Sequence, residues 1–126
     1  MTGNRIFALA LWIAFAITCF APPAIAARYD GKWSMVAVTT SGHCGKIPIG
    51  VGISRGRIFS TGGSFVAYPI RLGGNVSASG QTRMTAVAGP RIAHGTGRFT
   101  HIQGRGTWSG TGPSGVCSGV WTAVRS

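Results

Sequence analysis

Short apolar stretches with a period of two, separated by glycines, constrain this chain most. The clearest is KIPIGVGIS at residues 46–54, where isoleucine or valine occupies every second position from Ile47 to Ile53. Because successive side chains of a strand point to opposite faces, this period predicts a strand with one apolar face. Pro48 and two glycines fall on the other face. The 126 residues include 21 glycines, so many further strand ends and turns are expected.

The rest of the chain repeats this pattern, and no segment after residue 26 has a sustained helical period. Further strands are predicted in DGKWSMVAVTT, SRGRIFST, SFVAYPIRL, NVSAS, TRMTAVA, RIAHGTGRF, GRGTWSG and GVCSGVWTAVR. Gly73 and Gly74 predict a hairpin turn between two of them. The expected fold is all-β, a small antiparallel barrel or sandwich of about eight or nine short strands. We favour a meander that curls to closure, because closure removes exposed strand edges.

The N-terminus has the features of a cleaved signal peptide. Arg5 precedes an apolar run at residues 6–20, and Ala-Ile-Ala at residues 24–26 has the form of a signal peptidase site. A membrane anchor is the alternative, but the run is shorter than the roughly 20 residues a span needs. We expect residues 1–26 to be removed, leaving a single all-β domain at 27–126 with no integral membrane segment. The mature protein is then periplasmic or secreted.

Signal cleavage turns an odd number of cysteines into a pair. Cys19 leaves with the signal, and Cys44 and Cys117 remain. In an exported protein, two cysteines most simply form one disulfide. It would close a loop of about 70 residues, worth roughly 4 kcal/mol in the chain-entropy model. Free thiols for metal or redox chemistry are the alternative, although no CxxC motif is present.

The charge balance is strongly basic. Lysine and arginine number 12 against 1 acidic residue, a formal net charge of +11. Outside the cytoplasm, such a surface favours contact with anionic glycans, anionic lipids or a membrane surface, and nucleic acid. The arginines are scattered singly along the sequence, except for Arg55 and Arg57. A surface that is basic only for solubility is therefore the alternative.

Catalysis finds little support in the residue types present. Asp30 is the only carboxylate, in a turn, and is interpreted as a turn acceptor or the partner of an arginine such as Arg28 or Arg125. Metal sites need a denser donor set than His43, His94 and His101 supply. The GxG pairs at 50/52, 95/97 and 104/106 precede no helix, so they are interpreted as turn and bulge glycines. We predict a protein that is not an enzyme, with no metal and no cofactor.

Aromatic residues interleaved with arginines are the remaining signal for binding. Trp33, Trp108 and Trp121, together with Arg55 and Arg57, are the candidate ligand contacts, because aromatic faces and cations together bind sugars and bases. The alternative is structural. A domain of about 100 residues with few leucines needs its aromatic side chains for the core.

Two patterns resemble known proteins. YDGKWSM, one cysteine, and GRGTW…CSGVWTAVR resemble a group of small exported alphaproteobacterial proteins, mostly without an assigned function, across residues 29–125. This resemblance implies export, a β fold and a paired cysteine, and no catalytic residue. The DGxW opening also resembles the first strand of lipocalin-type and avidin-type barrels, where such a tryptophan plugs one end. It implies, as the alternative function, a small-ligand carrier with Trp33 near the mouth and an apolar cavity of roughly 300 Å³ or more.

Overall fold

Eight antiparallel strands form a closed barrel in the computed structural model, which describes residues 28–126. The predicted signal peptide therefore lies outside the described residues. Ten strands follow one another along the chain: β1 (Gly31–Ser41), β2 (Lys46–Ser54), β3 (Arg57–Gly62), β4 (Ser64–Phe65), β5 (Tyr68–Pro69), β6 (Arg71–Val76), β7 (Gln81–Ala88), β8 (Arg91–Phe99), β9 (Gln103–Gly112) and β10 (Gly115–Arg125).

The barrel is a meander. Each barrel strand pairs with the next along the chain, and β10 returns to pair with β1, so that no edge remains open. A separate hairpin, β4–β5, is inserted between β3 and β6. The all-β prediction and the preference for closure are confirmed, and the sandwich is excluded. The described residues contain no helix with the length and hydropathy of a membrane span.

Several local predictions are wrong. Gly73 and Gly74 do not form a turn but lie inside β6, paired with Thr85 and Met84 of β7. NVSAS is therefore not a separate strand: its first two residues end β6, and residues 77–79 lie in the β6–β7 turn. SFVAYPIRL is not one strand, because the chain turns back at Val66 and Ala67. At these places the pairing of neighbouring strands overrides the local signal from glycine or from alternation.

The strand ends define two ends of the barrel, which differ in how they are filled. The closed end contains the start of β1, the end of β10, and the β2–β3, β6–β7 and β8–β9 turns. At the open end are the β1–β2, β7–β8 and β9–β10 turns and the β4–β5 hairpin. The candidate site residues are divided between these two ends.

Three aromatic side chains fill the closed end. Trp33, Phe99 and Trp121 are each only 1% exposed. Phe99 meets Trp33 edge-on, with ring centroids 4.8 Å apart, and its ring centroid lies 5.5 Å from that of Trp121. Both distances lie in the range preferred by aromatic pairs. The core interpretation of Trp33 and Trp121 is therefore confirmed.

Glycines on β8 and β9 make room for the indole of Trp121. A Cβ added at Gly97 would lie 2.5 Å from Trp121 Cζ2, and one at Gly106 would lie 2.6 Å from Trp121 Nε1. Trp121 Nε1 donates a hydrogen bond to the carbonyl oxygen of Thr96, at 3.1 Å. The GxG pairs at 95/97 and 104/106 are therefore not turn or bulge glycines. They are strand positions without a side chain, facing a large ring.

The predicted disulfide is confirmed. Cys44 and Cys117 are bonded, with Cα atoms 6.2 Å apart and a sequence separation of 73. The bond joins the β1–β2 turn to β10 at the open end. It therefore fixes the wall of the barrel at the end that lacks the aromatic filling.

Substitution of Gly106 tests the packing of Trp121. We expect Gly106→Ala to lower the free energy of unfolding by about 2 kcal/mol, because the methyl group overpacks the space that the indole and the Thr96 carbonyl occupy. Urea unfolding followed by tryptophan emission measures it. Gly73→Ala is the matched control, because a Cβ there has no neighbour within 4 Å. Equal losses in the two variants would contradict this account.

Candidate binding site at the open end

Arg125 seals the closed end over Trp33. Its guanidinium carbon lies 4.5 Å from the centroid of the Trp33 ring. The same guanidinium donates hydrogen bonds to the main-chain carbonyls of Asp30 at 2.6 Å, His101 at 2.8 Å and Arg28 at 3.1 Å. Arg125 thus joins the end of β10 to two other segments, residues 28–30 and the β8–β9 turn. Trp33 is consequently enclosed here and does not line the mouth, where the resemblance to ligand-carrying barrels placed it.

The chain's only carboxylate is also at the closed end. The Arg125 guanidinium bonds to the main-chain oxygen of Asp30, and Asp30 Oδ1 is buried without a hydrogen-bond partner in the described structure. The expected pairing with Arg125 therefore runs through the backbone. Asp30 lies far along β1 from the open end, so no carboxylate side chain serves a site there.

An apolar cavity of about 110 Å³ lies inside the open end. Its floor includes Trp121, Met35 and Met84. Larger apolar residues of β2 and β6, among them Ile49 and Leu72, form one part of its wall, and small residues form the part on β7, β8 and β9. Ala86, Ala93 and Gly110 are directly paired across β7, β8 and β9 and all line the cavity. At the closed end, aromatic rings fill the interior of the barrel. These small side chains do not reach across it, so a space remains at the open end.

The mouth of this cavity combines an arginine with an aromatic ring. Phe65 of the β4–β5 hairpin lines the cavity and packs against the core. The guanidinium carbon of Arg91 lies 5.4 Å from the centroid of the Phe65 ring, within the range of a cation–π contact. Arg91 is the one lysine or arginine that lines the cavity in the described part of the chain.

The tip of the β4–β5 hairpin has an unfavourable backbone conformation. Val66 and Ala67 have φ angles of +48° and +67°. Two-residue hairpin turns with both φ angles positive favour Asn-Gly, and a β-branched residue there is a genuine outlier. The side chain of Val66 is 56% exposed, so burial does not offset the cost. Such strain concentrates at functional sites and ligand clamps.

The predicted ligand contacts divide between the two ends. Trp108 and Trp121 line the cavity, while Trp33 lies outside its lining. Arg55 and Arg57 lie in and beside the β2–β3 turn at the closed end, and both are exposed. They do not share a site with the tryptophans of the cavity.

Sequence reasoning missed Arg91 and the small-residue wall. A usable signal was present, because the alternation through Ala93 and Gly95 places Arg91 on the same face of β8 as the buried Phe99. The choice of which face points inward needed the tertiary structure.

A second surface gathers arginines that are scattered in the sequence. On the outer wall Arg98 and Arg105 are directly paired across β8 and β9, and both are exposed. Arg83 is paired with Thr96 of β8, one diagonal step from Arg98. Asn75 of β6 connects Arg57 to this group, because it pairs with Arg57 of β3 on one side and with Arg83 of β7 on the other. We call Arg57, Arg83, Arg98 and Arg105 the arginine face.

The three histidines do not converge. His43 lies in the β1–β2 turn, and His101 is in the β8–β9 turn at the closed end. His94 is exposed on β8, has its Nδ1 3.2 Å from Thr85 Oγ1, and is also among the residues that line the cavity. Residues 28–126 hold no group of three or more histidine, cysteine or acidic side chains that could bind a metal ion.

Comparisons with known protein families and with curated proteins find no match to this chain. The functional argument therefore depends on the geometry of the cavity and of the arginine face.

The strained hairpin tip can be tested directly. We expect Val66→Asn combined with Ala67→Gly to raise the free energy of unfolding by about 1 kcal/mol or more, because these residues suit positive φ. Urea unfolding measures the change. Val124→Asn is the control, since Val124 is 55% exposed, close to the 56% of Val66, and its φ is not positive. A destabilised hairpin variant would show that the tip is not strained.

Proposed function

We propose that this protein is an exported, non-enzymatic binding protein that holds a small apolar ligand in the open-end cavity. The observation that carries the proposal is an apolar space inside the open end, with an aromatic floor formed by the buried core. Ligand sites are typically concave and mostly apolar, with a few polar groups at defined places. The Cys44–Cys117 disulfide supports an oxidising compartment.

The cavity limits the size of the ligand. Its volume, about 110 Å³, is below the roughly 300 Å³ that the carrier hypothesis required for a drug-sized ligand. An engineered apolar cavity of about 150 Å³ binds benzene. The ligand that fits is therefore a small ring or a single short alkyl chain. A broad lipocalin-like ligand would need a wider interior.

The positions of the reactive groups support a binding role without catalysis. Asp30 is at the closed end, and both cysteines near the cavity are joined in a disulfide. The cavity lining thus offers neither a carboxylate nor a thiolate to act as acid, base or nucleophile. Its few polar side chains are suited to contacting a ligand.

Filling the cavity tests the proposal. Titration of the purified protein with benzene or 1-hexanol should raise its melting temperature, because a ligand that binds only the folded state stabilises it. We expect Ala86→Leu to abolish this rise, since the larger side chain occupies the space between β6, β7 and β8. Calorimetric titration gives the affinity directly.

The matched control is Val87→Leu. Val87 is the next residue on β7, points to the outer wall and is 37% exposed. This variant should keep the rise in melting temperature. A wild-type protein that shows no rise, or an Ala86→Leu variant that responds as Val87→Leu does, would refute the cavity as the site.

A second function is favoured by the arginine face: contact with anionic polymers or an anionic membrane surface. Like charges directly opposite on paired strands destabilise a sheet, yet Arg98 faces Arg105. Guanidinium groups suit forked contacts with phosphate and carboxylate. A depression of about 430 Å³ beside this face adds polar side chains, among them Asn75, Arg83 and Thr85. A polyanion across β7, β8 and β9 would relieve the repulsion.

Heparin chromatography and lipopolysaccharide binding test this second function. We expect Arg98→Gln with Arg105→Gln to elute from heparin at a clearly lower salt concentration than the wild type. The control, Lys32→Gln with Lys46→Gln, removes two charges from exposed positions on β1 and β2. It should change elution less. Equal shifts would mean that only net charge matters, and retention insensitive to salt would exclude an electrostatic contact.

A further inference from the structure

We infer that the open-end cavity selects an amphiphile with one short alkyl chain and a carboxylate head, and that Arg91 binds the head. This inference rests on the proposed apolar-ligand function and names its ligand class. It starts from the contrast between an apolar interior and a single charged side chain at the mouth.

Arg91 is held at the mouth by its surroundings. It is the first residue of β8, immediately after the β7–β8 turn, and it is half-buried. Its aliphatic stem lies over Gly112 of β9, where an added Cβ would lie 2.5 Å from Arg91 Cγ. Its guanidinium carbon lies 5.4 Å from the Phe65 ring centroid. Contacts on both sides of the side chain limit its rotamers, so that a ligand meets a partly ordered cation.

No acidic side chain of this sequence can neutralise Arg91 at this place. Asp30 is the only acidic residue of the sequence, and it lies at the closed end. Ser126 also lies at that end, where its amide donates a hydrogen bond to the carbonyl of Lys32 at 2.9 Å. A guanidinium at the rim of an apolar cavity therefore has its charge available for an anionic ligand group. Charge-assisted, forked hydrogen bonds to a carboxylate are the strongest contacts it can make.

The volume of the cavity limits the apolar part of the ligand. A chain entering beside Arg91 would run along the wall of Ala86, Ala93 and Gly110 towards the indole of Trp121, which also lines the cavity. With a volume of about 110 Å³, compared with about 150 Å³ for a cavity that binds benzene, the space takes roughly four to six carbons. One chain fits and two do not. A free short-chain carboxylate is therefore favoured over the two-chain tail of a membrane lipid.

The test compares two ligands that share a chain length and differ in charge, hexanoate and 1-hexanol, by calorimetric titration at pH 7. We expect the wild type to bind hexanoate about tenfold more tightly than hexanol, because a charged hydrogen-bonded pair adds to the same apolar contact. Arg91→Gln should remove this preference and leave hexanol binding unchanged. Arg91→Lys should retain part of it, since the charge remains without the fork.

Arg71→Gln is the matched control. Arg71 begins β6 at the same end of the barrel but is exposed on the outer wall, so this change removes an equal charge without touching the cavity. It should leave the preference intact. The inference is overturned if wild type binds hexanoate and hexanol equally, if Arg71→Gln removes the preference as fully as Arg91→Gln, or if Arg91→Gln weakens both ligands alike. Binding of neither ligand to wild type would instead overturn the proposed apolar-ligand function.

A measurement with dihexanoyl phosphatidylglycerol separates a free single-chain carboxylate from a two-chain anionic lipid. It carries acyl chains of the same length on an anionic lipid. We expect no competition with hexanoate below the concentration at which this lipid forms micelles, because the cavity has room for one chain. Competition by the lipid at the affinity of hexanoate would contradict the assignment to a free carboxylate.

Discussion

Trp121 packs its indole against the bare backbone of β8 and β9, and the other features of the barrel depend on this contact. The ring reaches the wall because Gly97 and Gly106 have no side chains. Phe99 packs against the Trp121 ring at a tilt, and Trp33 meets Phe99 edge-on. Arg125 covers Trp33 and donates hydrogen bonds to three main-chain carbonyls. Large aromatic area concentrated at one end stabilises a small domain efficiently. At the other end, the wall on β7, β8 and β9 carries alanine and glycine, and a cavity remains there.

The open end is held by different means. The Cys44–Cys117 disulfide fixes the wall between the β1–β2 turn and β10, and the β4–β5 hairpin brings Phe65 and the Arg91 contact to the mouth. The disulfide and the packing of Phe65 against the core thus hold this end around the cavity. This division supports the proposal that the open end is where a ligand enters.

The distribution of charge follows from the sheet in a similar way. Arginines that are far apart in the sequence become neighbours because the meander places β3, β6, β7, β8 and β9 side by side. Arg98 and Arg105 become directly paired, although nothing in their spacing of seven residues requires it. Arg91, in contrast, belongs to the inner face of β8 and is separated from that group by the wall itself. Two chemically distinct surfaces therefore arise from one residue type.

The sequence by itself determined the all-β class, most of the strands and the disulfide, and it favoured closure over a sandwich. A period of two, as in the stretch from Ile47 to Ile53, reports a strand wherever it occurs, and two cysteines allow one intramolecular pairing. The strand prediction failed at Gly73 and at Val66, where pairing with neighbours outweighed local preference. Trp108 and Trp121 were identified as candidates for the site. Only the tertiary structure decided that Trp33 is sealed, that Arg55 and Arg57 lie at the other end, and that Arg91 lines the cavity. The physical reason is that alternation shows which residues of a strand share a face. It does not show which face points into the barrel or which strands become neighbours, and the closure of the barrel fixes these two features.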